Sequence, residues 1–79
     1  MAGVRMFSRR SCHLCDDARA IIQAERSRRA FDFEEIFIDG DEGLERTYGL
    51  RVPVVEVDGT EEFEYRVEPA RLHELLGRL

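Results

Sequence analysis

The order of its segments is the feature of this sequence that most limits its fold. The apolar run VRMFS at residues 4–8 precedes a segment with helical spacing of its apolar residues. The aromatic and β-branched run FDFEEIFID at residues 31–39 follows that segment and predicts a second strand. A strand, a helix and a strand in this order pair the two strands in parallel through a right-handed crossover. We therefore expect the chain to begin with a parallel strand pair and one helix packed on the sheet.

The middle of the chain predicts a short helix and then a hairpin. GDEGLERTYG has the composition and spacing of a short helix that ends at Gly49. VPVVEVDG predicts a third strand that runs into a turn at Asp58–Gly59. The alternating segment EFEYRV, residues 62–67, predicts the strand that returns from this turn.

A final helix completes the expected domain. Pro69 suits the first helical position, and leucines recur on one face after it. We expect one α/β domain over residues 1–79, with a four-stranded mixed sheet, the element order β-α-β-α-β-β-α, and helices on both faces. The residues expected in its core are Phe7, Ile21, Ile22, Ile36, Ile38, Val54, Val55, Leu72 and Leu76.

The charge distribution limits the partners of this chain. The net charge is −5, which argues against nucleic acid as a partner. Residues 1–31 hold seven Arg and three acidic residues, whereas residues 32–79 hold five Arg and fourteen acidic residues. All twelve basic residues are Arg. This bias has two interpretations: the base composition of the genome, or a positive rim around the cysteines that alters their chemistry.

The N-terminal segment and the apolar runs predict location. MAGVRMFSRRS contains no apolar core of a secretory signal, and no run approaches the ~20 apolar residues needed to cross a bilayer. We therefore expect a cytoplasmic protein without a membrane partner, and a monomer.

Both cysteines of the chain lie in the stretch RRSCHLCDDA, three residues apart. Three interpretations compete: a redox pair, half of a metal site, or two small buried residues. A zinc site needs four ligands, but there is no second C-x-x-C, and His73 stands alone in the last predicted helix. The redox interpretation is favoured, because C-x-x-C beside a strand–helix–strand unit is typical of redox motifs.

The position of the pair assigns different roles to its two sulfurs. Ser11 or Cys12 falls where the first helix is capped, and Cys15 falls one turn inside that helix. The N-terminus of a helix carries partial positive charge and free N–H groups, which stabilise a thiolate at Cys12. Cys12 is therefore the expected nucleophile, and Cys15 is placed to resolve the mixed disulfide.

The segments MFSRRSCHLCDDA and YGLRVPVVEVDG, with the predicted strand order, resemble thioredoxin-fold proteins of the glutaredoxin-like group. The resemblance covers essentially the whole chain. It implies a thioredoxin-like fold and a thiol–disulfide oxidoreductase that reduces protein or low-molecular-weight mixed disulfides. It implies catalytic roles for Cys12 and Cys15, no bound cofactor, and glutathione or another small thiol as reductant. The implied partners are disulfide-containing proteins, small thiols and a thiol reductase.

The resemblance also implies a substrate-binding edge. Val52–Pro53 matches a step whose proline is cis and faces the cysteines, which leaves the Val52 backbone open to an extended substrate. The alternative is a trans Pro53 that merely starts the third strand. Arg9 matches a lysine position that contacts the glutathione carboxylate, and its alternative is an ordinary solvated Arg. His13 is either a cation beside the nucleophile or a neutral, exposed side chain.

The chain departs from the glutaredoxin pattern at two places. His13 and Leu14 stand between the cysteines where Pro-Tyr or Pro-Phe is usual. EYRVEPAR precedes the last helix and lacks the usual Gly-Gly pair, although Glu68 can stand for the acidic residue that follows it. Two alternatives to the oxidoreductase stay open: a module that binds a metal or an iron–sulfur cluster, and a redox-inactive adaptor that binds partners at Val52–Pro53.

Overall fold

Four strands and three helices follow one another in the order predicted from the sequence. The computed structural model describes residues 2–78. The elements are β1 (Gly3–Ser8), α1 (His13–Arg26), β2 (Asp32–Phe37), α2 (Glu42–Tyr48), β3 (Val54–Val57), β4 (Thr60–Glu64) and α3 (Pro69–Gly77). The predicted α/β fold is confirmed.

The strands form one mixed sheet in the order β2-β1-β3-β4. β1 pairs with β2 in parallel, so that Ser8 lies opposite Phe37. β3 runs antiparallel to β1 and also to β4, so that Val54 lies opposite Phe7 on one side and Glu64 on the other. The carboxyl ends of β1, β2 and β4 and the start of β3 therefore lie at the same end of the sheet. We call this end of the sheet the cysteine edge. It is formed by Ser8, Phe37, Val54 and Glu64.

The two faces of the sheet are covered by different helices. The face toward α1 and α3 carries the larger core, which contains Val4, Met6, Ala18, Ile22, Phe31, Val55, Val57, Phe63, Val67, Leu72, Leu75 and Leu76. The opposite face carries Phe7, Ile38 and Val54, against which Leu44 and Tyr48 of α2 pack. Side chains alternate across a strand, which is why neighbours such as Met6 and Phe7 belong to different cores.

Most of the predicted core residues are buried, with two exceptions. Ile21 and Ile36 are only half-buried and pack at the margins of the larger and the smaller core respectively. The buried members of the predicted set are Phe7, Ile22, Ile38, Val54, Val55, Leu72 and Leu76.

Two predicted boundaries need correction. The fourth strand ends at Glu64 and not at Val67, because Tyr65 adopts a φ of 70° and leaves the extended conformation. Gly49 follows α2 as expected, but its φ of −52° is right-handed, so a left-handed cap does not explain the glycine. The hairpin turn is as predicted, with φ values of 50° and 84° at Asp58 and Gly59.

The three helices are short compared with a membrane span. None of those within residues 2–78 is long and apolar enough to cross a bilayer.

Candidate active site

The first cysteine caps the helix that carries the second. Cys12 has extended backbone angles at the N-cap of α1, and its Sγ accepts the N–H of Cys15 at 3.1 Å. Its carbonyl oxygen accepts the N–H of Asp16 at 3.0 Å. The sulfur thus occupies the place that a serine or aspartate oxygen takes at many helix starts, where N–H groups and the helix dipole favour negative charge.

The two sulfurs lie at disulfide distance but differ in exposure. The Cα atoms of Cys12 and Cys15 are 5.2 Å apart, inside the range that a disulfide spans. Cys12 is partly exposed at the cysteine edge, whereas Cys15 is 0% exposed and belongs to the core side of α1. A reaction partner can therefore reach the sulfur of Cys12 but not that of Cys15.

The loop before the pair is held to the end of β2. The backbone N–H of Arg10 donates to Asp39 Oδ1 at 3.0 Å, and the Arg10 guanidinium lies 4.5 Å from the centre of the Phe37 ring. Ser11 adopts a φ of 55°, which turns the chain from β1 into α1. The loop is thereby fixed against the neighbouring strand before the helix begins.

The Val52–Pro53 step lies at the same edge. Its peptide bond is cis, as the resemblance implied. Pro53 is buried, and its carbonyl oxygen accepts the N–H of Tyr65 at 2.9 Å. Among residues 2–78, Val52 takes part in no hydrogen bond of its backbone outside the regular elements, so its N–H and C=O are open to a partner. Because Val54 pairs with Phe7, the step lies beside the end of β1. That end leads into residues 9–12, which we call the cysteine loop.

The sequence of residues 3–77 matches the family described as Glutaredoxin-like domain (DUF836). The chain belongs to this glutaredoxin-like family. No curated protein matches it.

Solved structures agree with the family assignment. The X-ray structure of protein XcR50 from X. campestris is 36% identical, with a TM-score of 0.79, over 96% of this chain and 97% of that one. Protein Ne2328 from Nitrosomonas europaea is 29% identical, with a TM-score of 0.75, over 98% of this chain and 88% of that one. A thioredoxin from Fasciola hepatica is 20% identical, with a TM-score of 0.63, over 98% of this chain and 79% of that one. The last likeness shows the thioredoxin fold alone, and the predicted resemblance is confirmed.

Arg9 in this glutaredoxin-like chain is engaged within the protein. Its guanidinium lies 2.7 Å from Glu45 Oε1, donates to Glu45 Oε2 at 3.1 Å, and donates to the carbonyl oxygen of Gly49 at 3.0 Å. The hydrogen bond to Glu45 raises the pKa of Arg9 above its ordinary value. The side chain thus ties the cysteine loop to the end of α2. Its expected contact with a substrate carboxylate stays a prediction.

His13 projects from the edge into solvent. Its side chain is 89% exposed, and its Nε2 atom lies 3.7 Å from Asp17 Oδ2 on the next turn of α1. The carboxylate of Asp17 thus lies beside the ring. Both interpretations of His13, a cation that acts on Cys12 and a neutral side chain, stay predictions.

An ion pair beneath the first two turns of α1 escaped the sequence analysis. Arg19 donates to both carboxylate oxygens of Glu35, at 2.8 and 2.5 Å, and to Asp16 at 2.8 Å. These hydrogen bonds from Arg19 hold the pKa of Glu35 below its ordinary value, against the opposing effect of burial. The position of Glu35 in β2 could have indicated this ion pair. Glu35 lies opposite Met6, and because Met6 faces α1, Glu35 also faces α1.

A groove adjoins the cysteines in this glutaredoxin-like protein. It measures about 400 Å³ and lies between α1 and the segment that joins β4 to α3. Leu14, the residue between the cysteines, forms one wall at 44% exposure, and Tyr65 lines the other side at 45% exposure. The sequence analysis placed neither residue in the site, because an exposed Leu or Tyr by itself has no meaning.

Within the part of the chain that the structure describes, no three His, Cys, Asp or Glu side chains come together as a metal site.

Proposed function

We propose that this protein is a thiol–disulfide oxidoreductase that reduces disulfides with the Cys12–Cys15 pair. The observation that carries the proposal is the asymmetry of the pair: Cys12 caps α1 and is reachable, while Cys15 is buried beneath it at disulfide distance. Inert cysteines that merely pack have no need for this arrangement, since a buried thiol gains nothing from a helix N-terminus.

The proposed reaction begins at Cys12. In the reduced protein, the N–H of Cys15 and the dipole of α1 stabilise the thiolate of Cys12. This thiolate attacks one sulfur of the substrate disulfide. A mixed disulfide forms, and the other substrate sulfur leaves as a thiolate that takes a proton from water.

Cys15 completes the transfer. Its thiol gives up a proton and attacks the Cys12 sulfur, which breaks the mixed disulfide and releases the second substrate thiol. Two electrons have then passed from the protein dithiol to the substrate. The Cys12–Cys15 disulfide that remains is reduced again by a low-molecular-weight thiol such as glutathione, or by a thiol reductase.

We place this activity in the thiol redox balance of the cytoplasm. The electrons travel on sulfur alone, so the reaction requires no bound cofactor. Arg9, His13, Val52 and Pro53 are the proposed substrate contacts. The backbone of Val52, which makes no backbone hydrogen bond outside the regular elements of residues 2–78, supports pairing with an extended substrate. The partners are disulfide-containing proteins or small thiols, and the protein acts as a monomer.

A redox titration tests the proposal. The protein is equilibrated in thiol–disulfide buffers of set potential, free thiols are trapped by alkylation, and their number is counted by mass. We expect a reversible transition of two thiols between roughly −120 and −270 mV, the range of C-x-x-C catalysts. The Cys15→Ser variant is the matched control and should show no such transition.

Two other results would contradict the proposal and favour one of its two alternatives. A pair that closes only after metal has been removed, with colour or metal in the purified protein, would indicate a metal or cluster module. Partner binding that persists in a Cys12→Ser, Cys15→Ser variant, without turnover in the native protein, would indicate an adaptor.

A further inference from the structure

Tyr65 is the most unusual residue near the pair. Its φ of 70° lies in the left-handed region, where a bulky side chain is uncommon. Its N–H is shared between the carbonyl oxygens of Pro53, at 2.9 Å, and Arg51, at 3.3 Å. Residues persist in such conformations where their surroundings determine them, and they gather at ligand sites. These two hydrogen bonds hold the backbone of Tyr65 beside the Val52–Pro53 step.

The groove between Tyr65 and Leu14 is apolar inside and balanced in charge. Ala18, Ile21 and Val67 also line it, while Asp17 and Arg66 supply one negative and one positive charge. Within the described structure, these are the two charged residues that line the groove. A small disulfide with several carboxylates would be attracted by Arg66 and repelled by Asp17 there. An apolar side chain on a neutral backbone matches the groove better.

We propose that this groove holds an apolar side chain of an extended polypeptide whose disulfide reacts at Cys12, so that the substrates are polypeptide disulfides and not small anionic ones. The inference rests on the proposed function and names its substrate class. Leu14 lies between the two cysteines, so a side chain in the groove belongs to a residue close to the reacting cysteine of the substrate. The open backbone of Val52 then pairs with the same extended segment.

The electron balance is that of the proposed reaction. Cys12 forms a mixed disulfide with one cysteine of the polypeptide and expels the other as a thiolate, which takes a proton from water. Attack by Cys15 then releases the polypeptide as a dithiol and leaves the protein disulfide, which a low-molecular-weight thiol reduces.

The first experiment measures binding without chemistry. The Cys12→Ser, Cys15→Ser variant is titrated by NMR with a linear peptide in which serine replaces the reactive cysteine and leucine stands nearby. We expect chemical-shift changes at residues lining the groove and roughly tenfold weaker binding when glycine replaces that leucine, as expected when an apolar side chain loses its burial. Shift changes confined to other surfaces would overturn the inference.

The second experiment compares two substrates. We expect the native protein to have a higher kcat/KM for a disulfide-linked peptide with the nearby leucine than for glutathione disulfide. Tyr65→Asn removes the ring and keeps a residue that tolerates the left-handed conformation. It should lower the ratio of the two kcat/KM values roughly tenfold. Tyr65→Phe should keep the ratio near its native value, because it keeps the ring that lines the groove and removes only the hydroxyl of a half-exposed side chain.

Leu50→Ala is the matched control. Leu50 is 92% exposed in the connection between α2 and β3 and does not line the groove, so this variant should leave both rates unchanged. A faster reaction with glutathione disulfide, or an equal loss with both substrates in Tyr65→Asn, would contradict the inference. If neither substrate is reduced, the proposed function fails, and the NMR titration still decides whether the groove binds the peptide.

Discussion

At the scale of the residue, the site depends on the unequal surroundings of two identical side chains. Cys12 receives an N–H and is open to solvent, whereas Cys15 is enclosed by the core. Thiol reactivity follows the thiolate fraction and access, and both favour Cys12. The two cysteines should therefore differ in chemistry even though one turn of chain separates them.

Alkylation of the reduced protein tests this difference. Iodoacetamide near neutral pH should modify Cys12 at least about tenfold faster than Cys15, because the buried thiol of Cys15 is out of reach of the reagent. Mass spectrometry of the digested protein reads both sites at once. In urea the two rates should become similar, which serves as the control. Equal rates in the folded protein would contradict the assigned roles.

The sequence predicts best those residues whose roles depend on neighbours close to them along the chain. The helix cap was predicted at Ser11 or Cys12, because a strand, a polar turn and helical spacing surround these residues, and the structure places it at Cys12. Arg9 resisted prediction because its partner Glu45 lies 36 positions away, and an Arg in a loop is ordinarily solvated. Tyr65 resisted it because the alternation of EFEYRV continues past the point where the backbone turns left-handed.

At the scale of the element, charged side chains attach the helices to the sheet. Arg19 joins α1 to Glu35 of β2, and Arg9 joins the cysteine loop to α2. Helical and strand periodicity located the apolar faces of these elements correctly. Periodicity does not show which charged residues at the margin of a face turn inward, so both ion pairs emerged only from the structure.

The ion pair between Arg19 and Glu35 should make the free energy of unfolding depend on pH in the acid range. The pKa of Glu35 is lowered from its ordinary value of 4.5, mainly by the hydrogen bonds from Arg19. Its contribution is therefore present in full above that ordinary value and is lost as the pH falls through the lowered, folded-state pKa. Urea unfolding at a series of pH values should show a steeper acid loss in the native protein than in Glu35→Gln.

The control for this prediction is the neighbouring residue. Glu34→Gln changes an exposed carboxylate on the other face of β2, which Arg5 contacts at 3.0 Å. Because exposed ion pairs contribute little, this variant should retain the pH dependence of the native protein. Identical pH profiles for the native protein and Glu35→Gln would refute the assignment.

The tether of the cysteine loop gives a second prediction at this scale. Arg9→Met keeps the length of the side chain but removes the donors to Glu45 and Gly49. We expect a lower midpoint of urea unfolding and a slower reaction of Cys12 with disulfides, because the loop and α2 lose their link. Arg46→Met, on the exposed side of α2 and without an ion pair in residues 2–78, should change neither quantity. If Cys12 of Arg9→Met reacted with disulfides at the native rate, the link between the cysteine loop and α2 would not affect the cysteine.

At the scale of the whole molecule, a buried carboxylate joins the first and last helices. Glu25 of α1 is buried, and its Oε2 lies 2.7 Å from Nδ1 of His73 in α3. Arg29 Nε lies 3.2 Å from the same oxygen. Glu25 follows Ala18 and Ile22 on the buried face of α1, where an acid is unusual, and it lies against His73 of α3 there. His73, which stood alone in the sequence, thus has a structural partner.

Removal of this carboxylate should weaken the entire fold. We expect Glu25→Ala to lower the free energy of unfolding by roughly 2 kcal/mol, less than for a fully enclosed pair because His73 and Arg29 stay in contact with water. Adding His73→Ala should cost little more, since the partner is already absent. Glu74→Ala, which removes an exposed acid of α3, should change stability by less than about 0.5 kcal/mol. If the losses of Glu25→Ala and His73→Ala instead added up in the double variant, the contact between Glu25 and His73 would contribute nothing, and apolar packing alone would hold the two helices together.

The Asp58–Gly59 turn lies at the end of the sheet opposite the cysteine edge. Asp58 Oδ1 accepts the N–H of Gly3 at 2.8 Å, so the turn is anchored to the start of the central strand. A linker attached at this turn would orient the molecule on an electrode with its disulfide toward the solution. Voltammetry would then give the two-electron potential of the pair from the positions of its peaks, without a reporter near the sulfurs.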